Sequence, residues 1–566
     1  MDGPLVQGQK MQQESPARRR FLVAGLALSL TLAAAAPAWA TGVLGTTDEI
    51  SQYGITWTFD REVAYGQFVT GDYWIAADEV VVTSVSPEPT TVNGWHVHGS
   101  MVNPPNGRQA YDSRTTHWRP PYHADYLAEA PITLGPDSSL VSTVSRQPLD
   151  EPRRPTLSDA AVLTVLGEAP PAGSFRPGLI GDEKVLYNVN DIQWDKLPGL
   201  APPPSLPSAQ QIADSYTSRM QRPWILHGTG WTHRHIMPQN NSPSYHQDVA
   251  RLLSSAAVLT TIDFDGREEL VTNYLQVAID YYTMQRNGHA SGRQGAYNYR
   301  WPTIFAGIML GDDEMRDMWK DGTYSTPGYH DDKVYFLDEH SRAPDSEILD
   351  GQDSWTAYSQ RTGERPVLYG DGHEQLHPDE WETLIQNGGR SETYRRMHSI
   401  AMVGFTIATL AFDAQELLAN PAYIAYAKRW MFEDDQAILD AGDVLRAAHP
   451  LQTSRSDFVD EMWNLHVDQM PQLLGDMNLD GTIDSADVAP FVLALTDREA
   501  YIDQYGIDPL LVGDINGDGV FDTGDVAAFV QLLVGGSAGS AAVPEPGSAI
   551  LVGLGGLALL GRRRAA

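Results

Sequence analysis

The chain has 566 residues, with 39 Lys and Arg against 73 Asp and Glu, a formal charge of −34 and no cysteine. Without thiols, disulfide scaffolds, cysteine nucleophiles and Cys-ligated zinc or iron–sulfur sites are excluded. The acidic excess repels phosphate backbones, so nucleic acid is not an expected partner, and the length exceeds what one hydrophobic core usually supports.

Residues 1–40 read as an export signal. Arg18-Arg19-Arg20-Phe21-Leu22 precedes an apolar run over 23–36, and Ala38-Trp39-Ala40 offers a cleavage site before Thr41. Basic, apolar and small-residue regions in that order describe a secretory signal, too short for a spanning helix. From 41 to 200, short β-prone runs such as Val80-Val81-Val82-Thr83 alternate with Gly and Pro clusters. That spacing predicts a β-sandwich-like domain or a curled antiparallel sheet. Leu197-Pro198-Gly199-Leu200-Ala201-Pro202-Pro203-Pro204 marks a stiff boundary. Beyond it the apolar period becomes helical, over 208–220, 245–262, 267–287, 301–310, 378–385, 391–412 and 421–432. Several of these helices are apolar on most faces, which predicts an all-α domain of stacked hairpins over 206–470.

Polar and aromatic groups concentrate between Arg219 and Arg300: Arg222, His235, Tyr245, His246, His289, Arg293, Tyr297, Tyr299 and Arg300 are among them. In a chain of this charge, such density of Arg and His points to an anionic ligand, because positive potential has to be built locally against the overall field. His289-Ala290-Ser291-Gly292-Arg293 falls in a Gly-rich loop after a long helix, where catalytic groups are commonly presented. For any one of these histidines the alternative is a hydrogen-bonded residue between helices. A second stretch, Tyr394-Arg395-Arg396-Met397-His398, places Tyr394 and His398 four apart on one helix face.

His373-Glu374-Gln375-Leu376-His377 matches the H-E-x-x-H pattern of zinc peptidases, which requires both imidazoles on one helical face. Pro378 disfavours helical geometry at His377, so a loop role for His373 and Glu374 is the expectation instead.

Two oxygen-rich loops follow. Asp476, Asn478, Asp480, Asp484 and Asp487 occupy positions 1, 3, 5, 9 and 12 of a twelve-residue loop, and Asp514, Asn516, Asp518, Asp522 and Asp525 repeat the register. Calcium needs six or more oxygens, and Gly481 or Gly519 at position 6 permits the sharp turn that supplies them. Thr482 and Val520 at position 7 would contribute backbone carbonyls. An apolar helix pattern follows each loop, over 488–495 and 526–533, so a small calcium-binding, EF-hand-type domain is expected over 474–535. Calcium loops that merely stabilise a terminal domain are the simpler alternative. The fold class expected for the whole chain is therefore multidomain α+β.

Resemblances to known families add to this reading. Arg-Arg-x-Phe-Leu after a long polar stretch resembles a twin-arginine signal, with an ordinary Sec signal as the alternative. Val543-Pro544-Glu545-Pro546, an apolar 550–560 and Arg562-Arg563-Arg564 resemble a PEP-CTERM sorting tail over 541–566. That resemblance implies an exosortase-type processing enzyme and a place in the periplasm, outer envelope or extracellular space. The paired loops with Asp at position 12, each followed by a helix, resemble a type I dockerin, which implies calcium-dependent folding and docking to a cohesin-type protein. Together with the β-rich and stacked-helix parts, the Arg/His/Tyr cluster is similar in residue type to polysaccharide lyases of the helical-toroid kind.

The lyase resemblance implies β-elimination on an acidic, uronate-containing polysaccharide. Tyr299, Tyr297, His289 and His246 are then candidate bases and acids, with Arg293 beside them. Arg222, His235, Tyr245, Arg300, Tyr394 and Arg395 are candidate substrate contacts, Arg by its bidentate fork. A glycoside hydrolase would need two carboxylates flanking the bond, with Asp332, Asp371, Glu374 and Glu380 available. A non-enzymatic glycan-binding surface protein is the third expectation.

Overall fold

In a computed structural model, residues 42–105, 108–114, 122–151, 156–225, 247–286, 299–319, 391–418, 423–424, 427, 431, 456–467, 474–479, 483–505, 509–516 and 520–535 are described. The strand-rich part comprises β1 (Val43–Gln52), β2 (Ile55–Gln67), β3 (Tyr73–Ala76), β4 (Val80–Ser86), β5 (Thr90–Val92), β6 (Trp95–Val97), β7 (Ser100–Val102), β8 (Ile132–Leu134), β9 (Ser138–Ser145) and β10 (Leu157–Leu166). Its main sheet runs β7-β9-β10-β3-β2-β4-β8, with β1 along β2 and β5-β6 as a separate ribbon.

The β1–β2 hairpin turns on Tyr53 and Gly54, both at positive φ (50° and 79°), as the tightest hairpin connection requires. β2 is long enough to pair twice along one edge, with β4 through Thr56–Phe59 and with β3 through Ala64–Gln67. The sheet therefore curls around it. β10 joins β3 in parallel, making the sheet mixed where an antiparallel one was expected.

Ile55, Trp57 and Phe59 alternate with Thr56 and Thr58 along β2 and point into a core shared with Ile75, Val82 and Leu163. Trp57 Nε1 crosses that core to donate to Ser142 Oγ at 3.0 Å. β9 and β10 are buried on both faces. Leu140, Leu163 and Val165 face the curled sheet's core, whereas Val141, Ala160 and Val162 belong to a second core with the helices.

The helices are α1 (Ala209–Ile212), a π turn (Ala213–Thr217), α2 (Ser218–Gln221), α3 (Gln247–Leu259), α4 (Arg267–Arg286), α5 (Trp301–Leu310), α6 (Asp313–Arg316), α7 (Ser391–Ala411) and α8 (Asp457–His466). α4 is buried on almost every side from Leu270 to Gln285, polar Asn273, Gln276 and Asp280 included, which makes it the central helix. α5 opens with Pro302 in its first turn and closes at Gly311 in the left-handed region (φ 66°). The second core runs from Met101 of β7 to Val467 after α8, so the strand-rich and helical parts are joined by one apolar cluster.

The Pro-rich segment between them is held down rather than free. Arg267 Nη2 donates to Pro198 O, Leu200 N donates to Thr261 O at 2.8 Å, and His466 Nε2 lies 2.8 Å from Ala201 O. A smaller cluster around Met477, Phe491, Tyr501 and Phe529 forms its own core in the last described part, with α9 (Val488–Thr496), α10 (Arg498–Tyr505), α11 (Leu510–Gly513) and α12 (Val526–Gly535). The architecture is α+β. Among the described residues no helix is long and apolar enough to cross a membrane.

Candidate functional site

Tyr299 and Arg300 sit immediately before α5. Tyr299 is fully buried with its ring 5.0 Å from that of Phe405 on α7. Arg300 is equally enclosed, Nη1 donating to Leu418 O at 2.7 Å and the guanidinium lying 5.3 Å from the Trp319 ring. Both side chains are packed into the helical core. Arg222 follows α2 and reaches the strand-rich part instead: Nη1 pairs with Asp159 Oδ1 at 2.8 Å and the guanidinium lies 3.7 Å from the centre of the Tyr53 ring. Asp159 is drawn upward in pKa by burial and downward by Arg222. Tyr394 and Arg395 fall near the start of α7. Tyr297, His289, Arg293, His246, His235 and Tyr245 lie outside the described residues, as do His373, Glu374 and His377.

A polar group that the sequence reading missed assembles at the end of α4, where residues 287–298 begin. Arg286 Nη1 pairs with Glu183 at 3.0 Å and its Nε with Glu314 at 3.3 Å. Its guanidinium lies 5.9 Å from the Tyr282 ring, and Tyr187 OH donates to Asp312 Oδ2 at 2.7 Å. Burial, then hydrogen bonding to Glu314, pushes the Tyr282 hydroxyl far above its ordinary value; burial and Asp312 do the same to Tyr187. These phenols stay protonated and act as donors, not bases. The sequence carries no local sign of this group, since its members come from three separate stretches.

The paired loops show a repeated geometry. Asp487 Oδ1 accepts from Asn478 N at 3.0 Å and Oδ2 from Asp484 N at 2.8 Å. Asp525 Oδ1 accepts from Asn516 N at 3.1 Å and Oδ2 from Asp522 N at 3.0 Å. Asp484 and Asp522 share an extended backbone (φ, ψ of −147°, −165° and −151°, −164°), and each accepts the N–H two residues on, at 2.7 and 2.6 Å. Four residues past each position 12, Phe491 and Phe529 stack at 4.2 Å with planes 4° apart. Matching residues meeting face to face is what a local two-fold relation between two loop–helix units produces.

Asp487 and Asp525 are wholly buried, and Asp476 and Asn478 nearly so. Asp525 accepts three backbone N–H groups, from Ile515, Asn516 and Asp522, yet among the described residues no Lys or Arg pairs with it. The side-chain donors in both loops are oxygen, the hard chemistry that calcium prefers, so the residues fit that ion in kind. Among the described residues no three carboxylates or imidazoles converge on one point; Asp480, Thr482 and Asp518 lie outside them. Comparisons with protein-family models, curated proteins and solved structures find no match for this chain.

Proposed function

We propose that this is an exported carbohydrate-active protein of the cell envelope, with a dockerin-like, calcium-dependent docking module over 474–535. The observation that carries the reading is the two-fold pair of carboxylate loops locked by Phe491 on Phe529. Asp476, Asn478, Asp484 and Asp487 would hold one ion and Asp514, Asn516, Asp522 and Asp525 the other, with Asp480, Asp518 and the carbonyls of Thr482 and Val520 completing the sets. Calcium supplies the charge that binds these carboxylates together, and the loops' own backbone N–H groups orient the position-12 carboxylates. A cohesin-type protein is the partner this module would take.

For the helical region, read as toroid-like, we propose β-elimination on an acidic polysaccharide. Support comes from Arg286 at the end of α4, after which the chain continues into the stretch carrying His289, Arg293 and Tyr297. A guanidinium can neutralise a uronate carboxylate, the step that makes the adjacent proton easier to remove. The burial of Tyr299 and Arg300 moves the weight of the proposal to Tyr297, His289 and Arg293 as the reacting groups.

A hydrolase reading also has an observation in its favour: Glu183 and Glu314 both bind one guanidinium, so two carboxylates stand close to one exposed place. Ultraviolet-monitored digestion of a panel of uronate and sulfated polysaccharides, with calcium present, tests the choice. Rising absorbance from an unsaturated product supports elimination. New reducing ends without absorbance turn the assignment to Glu183 and Glu314, and neither signal leaves a glycan-binding role.

A further inference from the structure

The two loops share their carboxylate scaffolding but differ in what touches them from outside. Between the units, Asp497 caps α10, accepting from Ala500 N at 3.1 Å, and so directs that helix back over the first loop. Tyr501 on α10 is fully buried and donates its hydroxyl to the carbonyl of Met477 at 2.7 Å. Tyr505 backs it, with ring centres 4.8 Å apart. Met477 is the second residue of the first loop, between Asp476 and Asn478, so holding its carbonyl fixes the Met477–Asn478 peptide, which leads directly into Asn478 and lies one residue after Asp476.

The corresponding residue of the second loop is Ile515, and among the described residues no side chain donates to its carbonyl. The loops also differ at position 4. Leu479 holds a left-handed backbone (φ 62°), a conformation that is unfavourable for a branched side chain, whereas the second loop has Gly517 there. The first loop therefore carries a strained residue and an outside clamp two residues upstream of it.

Resting on the calcium reading of the loops, we infer that Tyr501 is a positioning residue for the first site alone: by holding the Met477 carbonyl it pre-orders Asp476 and Asn478. The two sites are then inequivalent, with the first tighter and filled first, because less of its ordering cost is met at binding.

The test is calorimetric calcium titration of the full chain after removal of bound metal, with Tyr501→Phe placed in two backgrounds. With the second loop disabled by Asp514→Ala, Tyr501→Phe weakens calcium binding by about three- to tenfold, the range one hydrogen bond commands. With the first loop disabled by Asp476→Ala, the same substitution leaves affinity unchanged. An equal loss in both backgrounds would mean general loosening of the module and overturns the inference, as does no loss in the Asp514→Ala background. If the unaltered chain takes up no calcium, the reading of the loops fails first and the inference falls with it.

Discussion

His98 lies between β6 and β7 in the left-handed region (φ 58°), where its ring turns onto β9. Its Nδ1 accepts from Ser145 N at 3.1 Å, while Ser145 Oγ accepts from His98 N at 2.8 Å and donates to Asp112 Oδ2 at 2.6 Å. Arg114 grips Asp112 through Nε and Nη2, at 3.0 and 2.8 Å. A ring nitrogen that accepts carries no proton, so the native geometry requires neutral His98. Burial lowers its pKa, Asp112 opposes that shift and Arg114 adds to it. The folded state therefore binds fewer protons than the unfolded chain, and stability falls as pH drops from the ordinary histidine value toward the lowered one. Asn at this position tolerates the same backbone and offers an accepting oxygen. His98→Asn should fold and lose that part of the acid-side decline in melting temperature, measured by scanning calorimetry between pH 7.5 and 5. An unchanged pH profile would show that His98 does not titrate with folding.

Among the elements, α3 and α7 approach each other closely. Ser254 Oγ donates to Ala401 O at 2.7 Å, and a Cβ on Gly404 would stand 2.3 Å from Ser254 Oγ and 2.8 Å from Ser254 O. Gly404→Ala should cost about 1–3 kcal/mol, as overpacking does. Adding Ser254→Gly should restore only part of the loss, because the carbonyl clash remains; thermal unfolding of the single and double variants reads both. The helices themselves were readable from periodicity: expected spans of 267–287, 301–310 and 391–412 compare with Arg267–Arg286, Trp301–Leu310 and Ser391–Ala411. The parallel β10–β3 pairing was not readable, since it joins residues about ninety apart through hydrogen bonds that leave no local pattern. Nor was the enclosure of Tyr299 and Arg300. A Tyr-Arg pair beside a Gly-rich loop looks available for chemistry, and only its distant neighbours Phe405 and Leu418 make it core.

At the scale of the molecule, one side chain ties sheet to helices. Arg176 is buried, its Nε 2.6 Å from Asp72 Oδ2 beside β3 and its Nη2 2.6 Å from Asp280 Oδ2 on α4. Gln276 adds hydrogen bonds to its backbone N and O, both at 2.9 Å. Arg176→Met would strand two buried carboxylates and should cost about 3–5 kcal/mol, whereas replacing all three groups with apolar ones should cost far less. Chemical denaturation of the two variants distinguishes a charge that must be paired from one that drives folding.

The same view of cores separates the C-terminal module from everything before it. Met477, Phe491, Tyr501 and Phe529 cluster apart from the core that holds α3, α4, α5 and α7, and α8 is fastened to the larger part by Glu461, which accepts from Ser205 Oγ at 2.6 Å. In the calcium reading, stripping the ion leaves the module with buried like charges at Asp476, Asp487 and Asp525 and only a small apolar cluster to oppose them. Ion binding and folding are then one equilibrium in the module and separate ones elsewhere. A chelator should abolish amide hydrogen-exchange protection across α9 and α12 while α4 and β9 keep theirs, and added calcium should restore it. Protection in α9 and α12 that ignores the chelator would mean that the stacked phenylalanines hold the module without an ion.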